Sequence, residues 1–341
     1  MTHPTWPDGW MSHAPRKQDV NDVVSMFNAR SQRLLGKATS SREHVEGWWG
    51  ARRVDADRDF LIVRDDRNIV AGIAAADDRG APYASIGCIA VAHPAHDENE
   101  RLWDSLYAWA FRRASEIAAK ADDRIRVVAA EQSLGADTGR LAALDRAGFR
   151  VARVMLRMGI DLVAAPPAPK WPEGITWRTA HPTRDMDSVI DVRREIWRDH
   201  WGAIERPRED LVRAYEERMT EEGELFDPEL QVFALDGDEV VGLLVARSHI
   251  AKDPRQGFIG FLGTRRRWRR RGIGRALLRH ALCELHRKGR GHVELDVDAE
   301  SLTDAVRLYE RAGMRVIRRV IHYEKEIRAG ADLVTRELPN E

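Results

Sequence analysis

The stretch 258–282, FIGFLGTRRRWRRRGIGRALLRHAL, constrains the fold more than any other part of the chain. Residues 258–263 read as a short apolar strand. Arg265, Arg266, Arg267, Arg269, Arg270 and Arg271 crowd the loop that follows, and Ile273, Ala276, Leu277, His280, Ala281 and Leu282 recur at helical spacing. Gly272 and Gly274 open that helix, where backbone N–H groups lack intrahelical acceptors and the helix dipole favours negative charge. Glycines there let a bulky anion approach the backbone, so a diphosphate is the natural guest of this strand, turn and helix.

The same order of elements occurs twice. Residues 19–36 and 42–53 read as helices, 60–63 and 69–74 as a hairpin, 83–91 as a strand, a helix runs to about residue 120, and strand 125–130, helix 138–147 and strand 149–162 close the first half. The first 18 residues are irregular or hold one weakly patterned strand. Residues 163–174, with Pro166, Pro167, Pro169 and Pro172, read as a linker. After it come strand 175–179, helices 185–201 and 208–220, hairpin 232–235 and 240–245, the stretch 258–282, strand 292–297, helix 302–312 and strand 314–327. Arg146-Ala147-Gly148-Phe149 mirrors Arg311-Ala312-Gly313-Met314, so one α/β unit is repeated. The expected domains are 1–162 and 175–330, joined by 163–174 and followed by a tail, 331–341.

Lys+Arg and Asp+Glu are both 55 in 341 residues, which argues against a nucleic-acid or membrane-surface partner. Cys88 and Cys283 show no metal spacing, no metal ligands are expected, and neither a signal peptide nor a membrane-spanning run is evident. The cytoplasm is the expected compartment.

Arg269-x-x-Gly272-x-Gly274 directly after a strand, followed by Leu308-Tyr309-Glu310-Arg311-Ala312-Gly313-Met314, resembles the acyl-CoA site of the GNAT acetyltransferase superfamily over residues 175–327. With the DHWG segment at 199–202 and LDVDAES at 295–301, the chain resembles the mycothiol synthase-like branch of tandem GNAT proteins. The resemblance implies an α/β fold (α+β in some schemes) of two tandem domains, each a mixed, mostly antiparallel sheet flanked by helices. It implies acetyl-CoA as co-substrate, held by Leu262, Gly263, Thr264, Arg269, Arg270, Arg271, Gly272, Ile273, Gly274, Arg275 and Ser301, the last standing where the family has asparagine. Tyr309 would protonate the departing thiolate.

The strand before the arginine loop has no acid, where some members of the family, mycothiol synthase among them, place a glutamate base. Glu294, Asp296 and Asp298 alternate onto one face of the next strand, and Asp296, its middle residue, is the expected base. His200, Trp201 and Asp298 are expected to shape the acceptor site, with His200 a second candidate base. Aligning the halves sets Asp97 opposite Arg269, Glu100 opposite Gly272, Leu102 opposite Gly274 and Leu144 opposite Tyr309, so the first half is expected to have lost cofactor binding. The expected reaction is acetyl transfer to a primary amine of a small polar metabolite, such as an amino sugar or antibiotic-like amine, by direct attack. A non-catalytic acyl-CoA-binding protein and mycothiol synthase itself are the alternatives.

Overall fold

The computed structural model describes residues 6–335 apart from 8, 52, 223–226, 250–252, 254 and 302–303. Its elements are β1 (Met11–His13), α1 (Val20–Leu35), α2 (Arg42–Trp49), α3 (Ala56–Asp59), β2 (Phe60–Arg64), β3 (Val70–Asp77), β4 (Ser85–Ala92), α4 (Glu100–Ala118), β5 (Val127–Leu134), α5 (Thr138–Arg146) and β6 (Arg150–Asp161). Then follow β7 (Ile175–Thr179), α6 (Met186–Trp197), α7 (Arg208–Glu222), β8 (Gln231–Asp236), β9 (Glu239–Arg247), β10 (Gln256–Thr264), α8 (Ile273–Arg287), β11 (His292–Asp298), α9 (Ala305–Arg311) and β12 (Arg315–Arg328). The repeated α/β order holds. The expected start of the helix before Tyr309, at Leu302, lies outside the described residues.

Local chemistry accounts for the helix ends. Side chains of Ser41, Asn99 and Asp137 accept from the backbone N–H of His44, Leu102 and Arg140, satisfying donors that helices α2, α4 and α5 leave open. Gly36 ends α1 in the left-handed conformation, its N–H donating to the Gln32 carbonyl.

Two compact units form, and neither coincides with a half of the chain. The first comprises Met1–Val154 and Val320–Leu333, the second Met155–Arg319 and Val334–Glu341. The proline-rich residues 163–174 therefore lie inside the second unit. The last strands are exchanged: Val320 to Arg328 of β12 pairs antiparallel with β5, and Met155 to Asp161 of β6 pairs antiparallel with β11. Each unit thus completes its sheet with chain from the opposite half. The strand order is β1-β2-β3-β4-β5-β12 in the first and β6-β11-β10-β9-β8-β7 in the second.

Helices cover both faces of each sheet. In the first unit Leu102, Trp103, Leu106 and Tyr107 of α4 pack with Ala74, Ile86 and Ala90, while Val23 and Met26 of α1 meet Phe60, Ile62 and Ile73 on the other face. In the second, Val189, Val192 and Ile196 of α6 join Phe233, Leu243 and Phe261. Helix α8 lies close against β9 and β10, a Cβ at Gly242 or Gly257 meeting Leu277 or Leu285 at 3.1 or 2.9 Å. Each fully buried Leu or Ile contributes roughly 1.5–3 kcal/mol.

Candidate functional site

The second unit has a gap in its sheet. Strands β10 and β11 pair in parallel only from Gln256–His292 to Ile259–Leu295. The register then shifts at Gly260, and β10 continues along β9 while β11 continues along β6 as far as Asp298. The two strands part beyond Ile259. The Arg265 N–H donates to the Val241 carbonyl at 2.9 Å, which fixes the phase of the β9–β10 ladder. By alternation Gly263 also turns its amide to β9, and the N–H groups of Leu262 and Thr264 face the gap. Two of the three amides expected to hold an acyl carbonyl and pantetheine are thus presented, and the third is engaged. Gly263 serves differently: a Cβ there would lie 2.4 Å from Ile196 Cγ2, so its bare backbone admits α6 against β10.

Beside the gap stands the N-terminus of α8. No side chain caps it, and the Ala276 N–H is the one that returns to the Gly272 carbonyl, leaving those of Ile273, Gly274 and Arg275 without an intrahelical acceptor. Gly272 has φ +92°, a conformation that a side chain would strain. A Cβ at Gly274 would make only ordinary contacts with Leu308, Thr264 and Leu262, which places this glycine at the gap's edge. Open amides on a strand and on a helix terminus suit an acyl group joined to a diphosphate.

Most arginines of the loop have protein partners. Arg265 pairs with Glu195 and Glu239, and Arg271 with Asp236. Arg266 and Arg269 both grip Asp199, and the Arg269 Nε also donates to the Thr264 carbonyl at 3.2 Å. Asp199 is 2 % exposed. Its burial favours the neutral acid, but the two guanidinium groups outweigh this and hold its carboxyl below the usual range. Arg269 and Arg271, expected to face phosphates, are therefore spent on shaping the loop. Exposed Arg270 and Arg275 have no ion-pair partner among the described residues.

The acidic row on β11 is also engaged. Asp296 receives both Nε and Nη2 of Arg157 from β6, the latter at 2.8 Å, and Glu294 receives Arg157 Nη1 at 3.0 Å and faces His292 Nε2 at 3.3 Å. To take a proton, Asp296 would have to release that guanidinium, so the geometry does not favour it as base. Asp298 accepts from the Glu300 N–H, and the Ser301 hydroxyl faces the Ala305 N–H at 3.5 Å, so both organise the turn into α9.

Tyr309, on α9, is buried, and burial pushes its phenol up to about 12. Its hydroxyl has no hydrogen-bond partner among the described residues. It can donate a proton near neutrality without first losing one.

The DHWG segment lies past the end of α6, which stops at Trp197 rather than at residue 201. His200 stacks on Trp197 with ring centroids 4.8 Å apart and planes 10° apart, and Trp197 lies 6.5 Å from Phe261 of β10. Gly202 donates to the Thr335 carbonyl, and Thr335 returns a bond to Ala203, which ties the segment holding Trp201 to the chain's tail.

The first unit has the same parting of strands but not the same opening. Pairing of β4 with β5 ends at Gly87–Ala130, and the His93 N–H on the Ala71 carbonyl turns the amides of Ala90 and Ala92 away from β3. There the Ala90 N–H donates to the carboxylate of Glu131 at 3.3 Å, and the Ala92 carbonyl accepts from Arg30. Arg30 also holds Asp97 and Asp137. Asn99 caps α4, where α8 is open. Counting from the mirrored segments, Met158 matches Tyr323. These pair with Leu295 and Glu131, so a buried acid occupies in the first unit the position of a leucine in the second.

Sequence reasoning missed Asp199, Glu131 and Arg157 as determinants of the site. Only Asp199 carried a signal, as the first residue of DHWG. Among the described residues no helix is long and apolar enough to cross a membrane, and no cluster of three or more His, Cys, Asp or Glu is placed to hold a metal ion.

Residues 189–314 match the profile of the acetyltransferase (GNAT) family. A mycothiol acetyltransferase of Thermobispora bispora is 34% identical over 177 residues, covering 50% of this chain and 58% of that relative. The match thus spans little more than half of that curated relative's length. The crystal structure of a GCN5-related N-acetyltransferase from Sphaerobacter thermophilus is similar over 96% of this chain and 99% of its own, with 30% identity and a TM-score of 0.80. A tandem GNAT protein from the clavulanic acid biosynthesis pathway, 15% identical, shares the fold over 94% of this chain and 100% of its own, with a TM-score of 0.66.

Proposed function

This chain belongs to the GCN5-related N-acetyltransferase family, and on that premise we propose that its second unit moves an acetyl group from acetyl-CoA to a primary amine of a small polar metabolite. The observation that carries the reading is the pair of amides, Leu262 and Thr264, turned into the gap beside the uncapped start of α8. Acetyl-CoA supplies an activated acyl group as a thioester. The α8 amides from Ile273 to Arg275, with Arg270 and Arg275, hold the phosphates, Gly272 keeps the turn flat against them, and Ser301 borders the pantetheine. The Leu262 N–H steadies negative charge that develops on the thioester oxygen as the amine attacks directly. Tyr309 delivers its proton to the departing sulfur and regains one from solvent.

The acidic face at Glu294, Asp296 and Asp298, neutralised in part by Arg157, attracts a cationic acceptor while leaving room for a further polar group. The name of the curated relatives favours one specific alternative acceptor, the substrate of mycothiol acetyltransferases, and amino sugars are the first class to try. We place the reaction in the reducing cytoplasm, in keeping with the unpaired Cys88 and Cys283. In this reading the first unit binds no cofactor, because Glu131, Asp97 and Asn99 already occupy the groups a ligand would use.

The test is release of CoA thiol from acetyl-CoA with a panel of amino sugars and the amine acceptor of mycothiol acetyltransferases. Thiol release that depends on one of these amines and is lost in Tyr309→Phe supports the reading. CoA binding without thiol release for any amine would refute it.

A further inference from the structure

Resting on the reading that the second unit acetylates an amine, we infer that the imidazole of His200 is the base that takes the proton of the acceptor ammonium. Four observations converge on it. Its Nδ1 lies 3.2 Å from the Ile196 carbonyl, and a carbonyl only accepts, so Nδ1 carries the hydrogen and Nε2 presents a lone pair. Nε2 has no protein hydrogen bond among the described residues. Trp197, stacked on the ring, fixes its plane, and its own contact with Phe261 together with the close approach of Ile196 to Gly263 sets His200 beside the diverging end of β10. The charges that act on the imidazole come from both sides of the gap: Asp298 at the end of β11 and Asp199 favour its protonated form, and Arg269 opposes it.

Burial holds the imidazole below its usual range, so the ring is neutral at pH 7 and able to accept, while Asp298 and Asp199 steady the imidazolium once formed. The other acids near the gap are less available. Strand β10 carries none, and Asp296 and Glu294 are held by Arg157. The step balances: one ammonium proton passes to Nε2, the freed nitrogen pair forms the C–N bond, the C–S bond breaks, sulfur takes the Tyr309 proton, nitrogen sheds its second proton to water as the amide forms, Tyr309 regains one from water, and His200 releases its proton to water.

Asp199 is a positioning residue in this scheme. It anchors the segment holding His200 to Arg266 and Arg269 of the phosphate loop, so the base and the cofactor site are built on one ion-paired cluster.

The experiment compares the full-length wild type with His200→Gln in three readouts. With the fastest amino sugar of the panel, kcat/KM falls about 10²–10⁴-fold and its decline on acidification below the ordinary histidine range disappears. Hydroxylamine, uncharged at pH 7 and so in need of no base, is acetylated at nearly the wild-type rate, and CoA affinity is unchanged. A variant that keeps the acid decline, or that loses hydroxylamine and amino-sugar turnover alike, overturns the inference and makes His200 structural. Nitrogen-15 NMR of the histidine rings decides the matter without any acceptor: Nε2 unprotonated at pH 7 supports the assignment, and Nε2 protonated at pH 7 overturns it. Failure of the wild type to bind CoA would instead remove the proposed function and leave the ring's tautomer standing.

Discussion

The backbone N–H of Ala90 donates to the buried carboxylate of Glu131 at 3.3 Å, whereas its counterpart in the second unit, the N–H of Leu262, faces a gap whose matching side chain is Leu295. That carboxylate, together with Arg30 on the Ala92 carbonyl and Asn99 at the start of α4, closes the parting of strands in the first unit. Glu131 is itself costly to keep. Burial raises its carboxyl above the usual range despite Arg140 at 2.9 Å. Replacing it by the residue of the second unit, Glu131→Leu, strands Arg140 and is expected to destabilise the protein by about 3–5 kcal/mol in urea unfolding. CoA affinity is expected to stay at the wild-type value, because Asn99 and Asp97 still close the first unit's helix terminus.

The arginine loop holds side chains paired within the protein, such as Arg269, and others, such as Arg275, that the proposed function assigns to the ligand. Arg269→Ala removes one of the two cations on buried Asp199 and is expected to lower the melting temperature, by roughly 2–4 °C for each kcal/mol lost. Arg275→Ala leaves the fold untouched and weakens CoA binding by about 3–10-fold, an effect that shrinks as salt is raised. Calorimetry of unfolding and of CoA binding on both variants measures the division. Equal effects of the two substitutions on both quantities would contradict it.

Tyr309 should define no descending limb in the ordinary alkaline range. Its phenol is pushed up to about 12, so the proton needed by the leaving sulfur stays in place throughout the range in which the protein is assayed. Tyr309→Phe is expected to lower kcat by about 10²–10⁴-fold while leaving the CoA dissociation constant within about twofold. A pH–rate profile of the wild type that falls with a midpoint near 9 and is flattened in Tyr309→Phe would show that the phenol ionises far more readily than its burial allows.

The exchanged strands forbid a simple cut at the proline-rich stretch. A chain of residues 163–341 lacks the part of β6 that pairs with β11 from Met155–Asp298 to Asp161–His292, and a chain of residues 1–162 lacks the part of β12 that pairs with β5. Each would expose the edge of a long buried-faced sheet, a template for aggregation. Expressed separately, both are expected to be insoluble, and co-expression is expected to recover a folded complex, checked by size-exclusion chromatography and circular dichroism.

What the sequence displays is what depends on near neighbours. The helix from Ile273, opened by the glycines at Gly272 and Gly274, follows from spacing and backbone chemistry within a few residues, and it is where the pattern places it. The roles of individual charges are not local. Arg269 reads as a phosphate ligand until Asp199, distant in sequence, claims it, and Asp296 reads as a free carboxylate until Arg157 arrives on a strand from the other half. Strand exchange is hidden for a related reason: β6 and β12 follow the same mirrored segment, so nothing within either strand says which copy of the sheet it completes. Glu131 reads only as one acid in a strand, and its meaning lies in the amide across the gap.

Isothermal titration of the full-length chain with CoA, set beside the same titration of Gly272→Glu, tests the central claim most directly. The substitution puts at the start of α8 the residue type that the first half carries at Glu100, forcing a side chain into the φ +92° position and a negative charge where the proposed function puts the diphosphate. The account predicts one CoA per wild-type chain and a loss of affinity of at least about 100-fold in the variant with the fold retained. Two CoA molecules per chain, or unchanged affinity in Gly272→Glu, would contradict it.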